Sequence, residues 1–114
     1  MITVYGIRNC DTCRKALKWL EAGGIEHCFH DFRKDGLAEM QVAAWLEDVG
    51  AAVLLNKRGT TWRNLSDAEK DSVDAGKAEA LIVANPTLVK RPVFEGADTL
   101  LVGFGAAQRD ALRR

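Results

Sequence analysis

The stretch Val4–Leu20, VYGIRNCDTCRKALKWL, joins a β-branched and aromatic run to an apolar stripe at helical spacing, with two cysteines at the junction. Ile2–Ile7 (ITVYGI) reads as a short buried strand. A helix then opens at Asn9 or Cys10. Asp11 and Thr12 suit a first turn, Ala16, Leu17 and Leu20 line one face, and Gly23-Gly24 end it. Cys10 therefore falls at a predicted helix N-terminus, where unpaired N–H groups and the positive end of the helix dipole favour an anion. A thiolate in that place has a lowered pKa and is the reactive form of cysteine. Arg8, Arg14 and Lys15 are close in sequence and are expected to add positive charge. Cys13, one turn further on, should be less exposed and near enough to close a disulfide. Those are the roles of attacking and resolving thiols.

Outward from this junction, Ile25–Phe32 (IEHCFHDF) reads as a second strand and Lys34-Asp35-Gly36 as a turn. The middle is helical: Ala38–Val49, a short helix over Ala51–Leu55, a break at Lys57–Thr61, a helix starting at the Ser66-x-x-Glu69 capping box, and another over Lys77–Ala84 that stops before Asn85-Pro86. Val93-Phe94 and Thr99–Val102, around Glu95–Asp98, read as an antiparallel hairpin, and Ala106–Arg113 as a closing helix. Strand, helix, strand, several helices, hairpin, helix is the order of an α/β, thioredoxin-like fold. It implies a four-stranded mixed sheet flanked by helices, a right-handed β-α-β crossover, and a helical insertion between the second strand and the hairpin. A single domain over residues 1–114 is expected.

The 114 residues are 47% hydrophobic, with 16 Lys+Arg balanced by 16 Asp+Glu. A neutral balance argues against a protein built to hold nucleic acid or an anionic membrane. No apolar run approaches the ~20 residues of a membrane span. The start MITVYGIRNC lacks the pattern of a secretory signal, so a cytoplasmic location is expected. A monomer is expected as well. Three cysteines, an odd number, do not read as a disulfide framework.

Other readings of the same residues stay open. Cys10, Cys13, His27 and His30 form a superficial Cys2His2 set. Its His-x-x-His spacing is short for a zinc finger, and an odd separation in a strand points the histidines to opposite faces, so no metal is expected. Both cysteines of the pair are also small enough simply to pack. Cys28 reads as structural, as do His27 and His30, while Trp19 and Trp45 read as packing residues. Trp62, within Thr60-Thr61-Trp62-Arg63, is either the wall of a thiol pocket or a core anchor under a surface turn. Arg91-Pro92 precedes the hairpin, where proline belongs at a strand entrance. Arg91 is either a charge for the site or a solvated cation.

The segments YGIRNCDTCRKALKWLE, FHDFRKDGL, LLNKRGTTWRNL, NPTLVKRPVFEG and LLVGF run in the order of the arsenate reductase-like (ArsC/Spx/YffB) family of the thioredoxin superfamily, and the chain resembles its YffB-like subgroup most. The resemblance implies a nucleophile at Cys10 and a functional arginine at Arg91. It also implies a cis Pro92 whose backbone orients an extended peptide or glutathione, with Asn9, Asp11, Thr12 and Arg58 as further substrate contacts. Glutathione-linked arsenate reductases carry a histidine where this chain has Gly6, and arginines where it has Asn56 and Gly103. The implied activity is therefore thiol–disulfide exchange, with glutathione as cosubstrate, no bound cofactor, and glutathione or a glutaredoxin or thioredoxin as electron source. A glutaredoxin-dependent arsenate reductase and an Spx-like redox-sensing regulator that binds RNA polymerase are the alternatives.

Overall fold

The computed structural model describes residues 1–113. In chain order its elements are β1 (Ile2–Gly6), α1 (Asp11–Ala22), β2 (His27–Asp31), α2 (Phe32–Asp35), α3 (Glu39–Val49), α4 (Ala51–Leu54), α5 (Thr60–Arg63), α6 (Asp67–Asp74), α7 (Ala78–Ala84), a 3-10 turn (Pro86–Leu88), β3 (Val93–Glu95), β4 (Leu101–Val102) and α8 (Ala106–Leu112). They divide into two compact units: Met1–Asp35 together with the chain from Arg91 onward, and Gly36–Lys90.

The first unit holds the sheet, in the order β2-β1-β3-β4. β1 runs parallel to β2 and antiparallel to β3, and β3 is antiparallel to β4, so the sheet is mixed and four-stranded as the element order implied. Strand alternation sorts its side chains. Val4 and Phe94 are paired across β1 and β3 and face the core, where they pack with Ala16 and Leu20 of α1 and Leu112 of α8. Burying a side chain such as Leu20 or Phe94 contributes ~1.5–3 kcal/mol, so this cluster is what holds α1 against the strands. Phe29, opposite Val4, joins the same face. Cys28 and His30 are opposite Thr3 and Tyr5 and fall on the other face, where the Tyr5 and His30 rings lie 5.1 Å apart. His27 and His30 thus point to opposite faces, and His27 Nδ1 sits 2.8 Å from the Ile25 carbonyl.

Cys28 departs from the structural role expected of it. It is exposed on edge strand β2, with its sulfur 3.4 Å from Thr3 Oγ1. The strand pattern placed it correctly in β2, but only the order of the strands makes β2 an edge.

The second unit is the expected helical insertion. Its buried residues include Val42 and Trp45 of α3, Leu54, Ile82, Leu88 and Val89. The Ser66–Glu69 capping box forms in full: Ser66 Oγ accepts from the Glu69 N–H at 3.1 Å, and Glu69 Oε1 accepts from the Ser66 N–H at 2.9 Å. Leu55 and Val89 form an isolated bridge, flanked by Asn56 N–H to Leu88 O at 2.8 Å and Lys90 N–H to Leu54 O at 2.7 Å. Two short helices went unforeseen, α2 in the predicted turn and α5 in the predicted break. Both are single turns without a full apolar stripe. Trp62, on α5, is only partly buried, with Lys57 Nζ 5.2 Å and Lys70 Nζ 6.0 Å from its ring centroid. It is covered by cations on the surface of its unit and does not anchor a core. Among the described residues no helix is long and apolar enough to cross a membrane.

Candidate functional site

Cys10 is the N-cap of α1. Its backbone is extended (φ −134°, ψ 121°), and its carbonyl accepts the first helical bond, from the Arg14 N–H at 3.0 Å. An N-cap side chain normally offers an oxygen to the free N–H groups of the first turn; here a sulfur occupies that place. Partial burial works against ionisation of Cys10. The backbone N–H and thiol of Cys13, and then the charge and hydrogen bond of the Arg91 guanidinium, outweigh it and hold the Cys10 pKa below its ordinary value. Cys13 is fully buried. Burial pushes its thiol up to about 12, with the Cys10 charge adding to the effect and the Ile7 N–H opposing it. The two thiols thus differ sharply: Cys10 ionises first and Cys13 keeps its proton.

The register of the sheet explains Arg91. Tyr5 pairs with Val93 in the antiparallel β1–β3 ladder, so the chain just before Val93 runs alongside the chain just after Tyr5. That places Arg91 beside the Ile7–Cys10 segment. The Arg91–Pro92 peptide is cis. Pro92 itself is fully buried, and its carbonyl accepts the Gly103 N–H at 2.8 Å. Proline has no N–H, so this carbonyl is the hydrogen-bonding group that Pro92 itself carries.

Two of the cations near in sequence, Arg8 and Arg14, have partners other than Cys10. The Arg8 N–H donates to Asp31 Oδ2 at 3.2 Å, and its guanidinium lies 5.5 Å from the Phe29 ring centroid. Arg14 pairs with Asp11 at 2.5 Å across one helical turn, an exposed pair of little energetic weight. Asn9, Asp11 and Thr12 are exposed at the helix entrance beside Cys10. Arg58 belongs to the second unit, where its N–H donates to Asn56 Oδ1 at 3.1 Å. Gly103 lies at φ +89°, a left-handed turn where an arginine would cost ~1–3 kcal/mol of strain, so this position does not simply lack a guanidinium.

Asp31 was missed in the sequence. It ends β2 and caps α2, its Oδ1 accepting from the Arg33 and Lys34 N–H groups at 3.0 and 3.2 Å while Oδ2 takes the Arg8 N–H. One carboxylate therefore ties the loop before Cys10 to the end of β2. The signal was available: an aspartate at a strand end, before a phenylalanine and two basic residues, fits an N-cap. A slight desolvation is outweighed by the Arg8, Lys34 and Arg33 N–H groups and the Arg8 charge, so the Asp31 pKa lies below the usual carboxylate value. Its stabilisation is therefore complete above the ordinary carboxylate range and is lost as pH falls through its lowered folded value. Asp31→Ala should cost about 1 kcal/mol, the usual loss of a helix cap. Urea unfolding at neutral pH and at pH 3 checks this: the deficit should shrink at pH 3, and a deficit constant with pH would show that Asp31 acts by packing.

Among the described residues no group of three or more His, Cys, Asp and Glu is disposed to hold a metal ion. The chemistry open to this site is that of a thiolate beside a guanidinium, with a second thiol one turn away.

Residues 5–112 match the ArsC family. The chain belongs to the ArsC family. An uncharacterised protein of Haemophilus influenzae is 48% identical over 111 residues, 97% of each chain. The global transcriptional regulator Spx of Listeria innocua is 28% identical, covering 100% of this chain and 86% of its own. Among solved structures, the YFFB protein superposes with a TM-score of 0.91 at 36% identity over the whole of both chains. An arsenate reductase-related protein of Brucella melitensis superposes with a TM-score of 0.77 at 46% identity, over 96% of this chain and 92% of that one. The ArsC-family assignment agrees with the resemblance read from the motifs, and the YFFB superposition bears out the thioredoxin-like fold.

Proposed function

We propose that this ArsC-family protein is a cytoplasmic thiol–disulfide oxidoreductase that draws its electrons from glutathione or from a glutaredoxin- or thioredoxin-type dithiol. The observation that carries the reading is the asymmetry of the thiol pair: Cys10 has its pKa lowered beside Arg91, while Cys13 is buried and protonated. The Cys10 thiolate attacks one sulfur of an oxidised substrate, RS–SR′. A Cys10–S–S–R bond forms, and the R′S⁻ thiolate leaves and takes up a proton. The Cys10 charge that helped hold the Cys13 proton is now gone. Cys13 loses that proton and attacks the Cys10 sulfur, and RS⁻ departs. The substrate has gained two electrons, and the protein holds them missing as a Cys10–Cys13 disulfide. Two glutathione thiols, or one dithiol partner, restore it. Arg91 favours the thiolate, and Asn9, Asp11 and Thr12 offer the exposed polar edge at which a substrate meets Cys10.

A glutathione disulfide titration followed by peptide mapping tests this. The wild type should pass through a Cys10–glutathione adduct to the Cys10–Cys13 disulfide, and Cys13→Ser should stop at the adduct. Cys28 cannot join the pair internally, because it lies on the opposite face of the sheet from Gly6 and α1. An adduct on Cys28 with Cys10 unreacted would sink the proposal.

The similarity to Spx over the full chain favours a second reading, in which the same disulfide is a switch on a regulator that turns nothing over. Sustained catalytic turnover with glutathione and its reductase separates an enzyme from such a regulator.

A further inference from the structure

We infer that Gly6 is a positioning residue for the thiol pair: its missing side chain leaves the space in which the Cys13 sulfur lies, and a larger residue there re-aims that sulfur and changes Cys10 through it. The inference rests on the thiol reading above and deepens it. A β-carbon on Gly6 would come 2.5 Å from Cys13 Sγ, but 3.5 Å from both Cys13 Cβ and Phe29 Cε1. The last two are ordinary contacts; only the sulfur is in the way. Gly6 is not among the glycines with positive φ, so its backbone conformation is open to any residue, and space alone calls for glycine.

Something must move when that space is filled, and the softest coordinate decides what. Gly6 is paired with Asp31 in the β1–β2 ladder, and Val4, two residues earlier, is fully buried in the core. Shifting β1 would break ladder bonds and core packing together. Rotating Cys13 about χ1 breaks neither. In the first turn of α1 that side chain has two staggered positions open to it, near 180° and −60°. Leaving the present one carries the sulfur away from the Ile7 N–H and from Cys10. Cys10 then loses a hydrogen bond that favours its anion. Gly6 thus acts on Cys10 without touching it, and only while Cys13 carries a sulfur.

The test is the alkylation of Cys10 by iodoacetamide against pH, read by peptide mass so that Cys28 does not interfere, in wild type, Gly6→Ala, Cys13→Ala and the double variant. Gly6→Ala should raise the midpoint by about one pH unit, a roughly tenfold loss of thiolate at low pH, the size expected for one hydrogen bond to a charged group. Cys13→Ala and the double variant should titrate together. An unchanged midpoint in Gly6→Ala, or the same rise in the Cys13→Ala background, overturns the inference. If Gly6→Ala does not fold, circular dichroism of the double variant decides. A folded double variant supports the inference, because deleting the sulfur has restored the space, and an unfolded one overturns it. A wild-type Cys10 that titrates at the ordinary thiol value overturns the thiol reading itself, and is visible before any variant is compared.

Discussion

Cys10→Ser should reduce thiol–disulfide turnover to background, a loss on the order of 10³-fold or more, as for other deletions of a catalytic nucleophile. The reason is chemical. A serine hydroxyl at the α1 N-cap satisfies the helix as well as a thiol does, so the fold should survive, but it supplies no anion at neutral pH and cannot form a disulfide. The measurement is kcat/KM for a glutathionylated substrate, with glutathione and its reductase as the recycling system. The pH profile carries a second part of the expectation. The rate should rise with pH as Cys10 ionises and level off below the ordinary thiol pKa of about 8.5, because Arg91 and the first turn of α1 favour the anion. Arg91→Met should move that rise to higher pH. A Cys10→Ser protein that retains the wild-type rate, or a wild type still gaining rate above pH 9, would remove Cys10 from the mechanism.

The second large effect is a preference for thiol substrates over arsenate of about a hundredfold or more in kcat/KM. Arsenate and its thiol adduct are anions held by charge-assisted hydrogen bonds worth roughly 1.5–3 kcal/mol each, so two missing donors amount to a hundredfold at least. The donors of the glutathione-linked enzymes are replaced by Gly6, Asn56 and Gly103. The structure adds a steric side to this count. A side chain at position 6 meets the Cys13 sulfur, and Gly103 sits in a left-handed turn whose N–H holds Pro92. Restoring the arsenate-type residues at those two positions would therefore disturb the thiol site as it stands. Asn56→Arg meets neither conflict, though it gives up the bond that Asn56 Oδ1 accepts from the Arg58 N–H. Arsenate turned over more efficiently than a glutathione mixed disulfide by the unmodified protein would make arsenate reduction the function.

The β-α-β start, the helix opening at Cys10, the Ser66–Glu69 capping box and the closing hairpin were legible in the sequence because each depends on residues a few positions apart. Strand alternation, helical periodicity, caps and turn glycines act over that range, and the helix dipole that marks Cys10 is as local as the helix itself. The element order then left few topologies, and the four-stranded mixed sheet is the one found. The environment of the thiols was not local and could not be read the same way. Arg8, Arg14 and Lys15 are the cations nearest Cys10 in sequence, yet Arg8 is bound to Asp31 and Phe29 and Arg14 to Asp11. Arg91 serves the site because antiparallel pairing of β1 with β3 folds it back beside the loop, and charge acts through space whatever the chain distance. The exposure of Cys28 follows from strand order, which makes β2 an edge. The need for glycine at position 6 follows from the approach of α1 to β1, which puts a sulfur where a β-carbon would stand. The chemistry on offer was written in Cys10-Asp11-Thr12-Cys13; which groups surround it was decided by sheet register and helix packing, because those alone bring distant residues within bonding range.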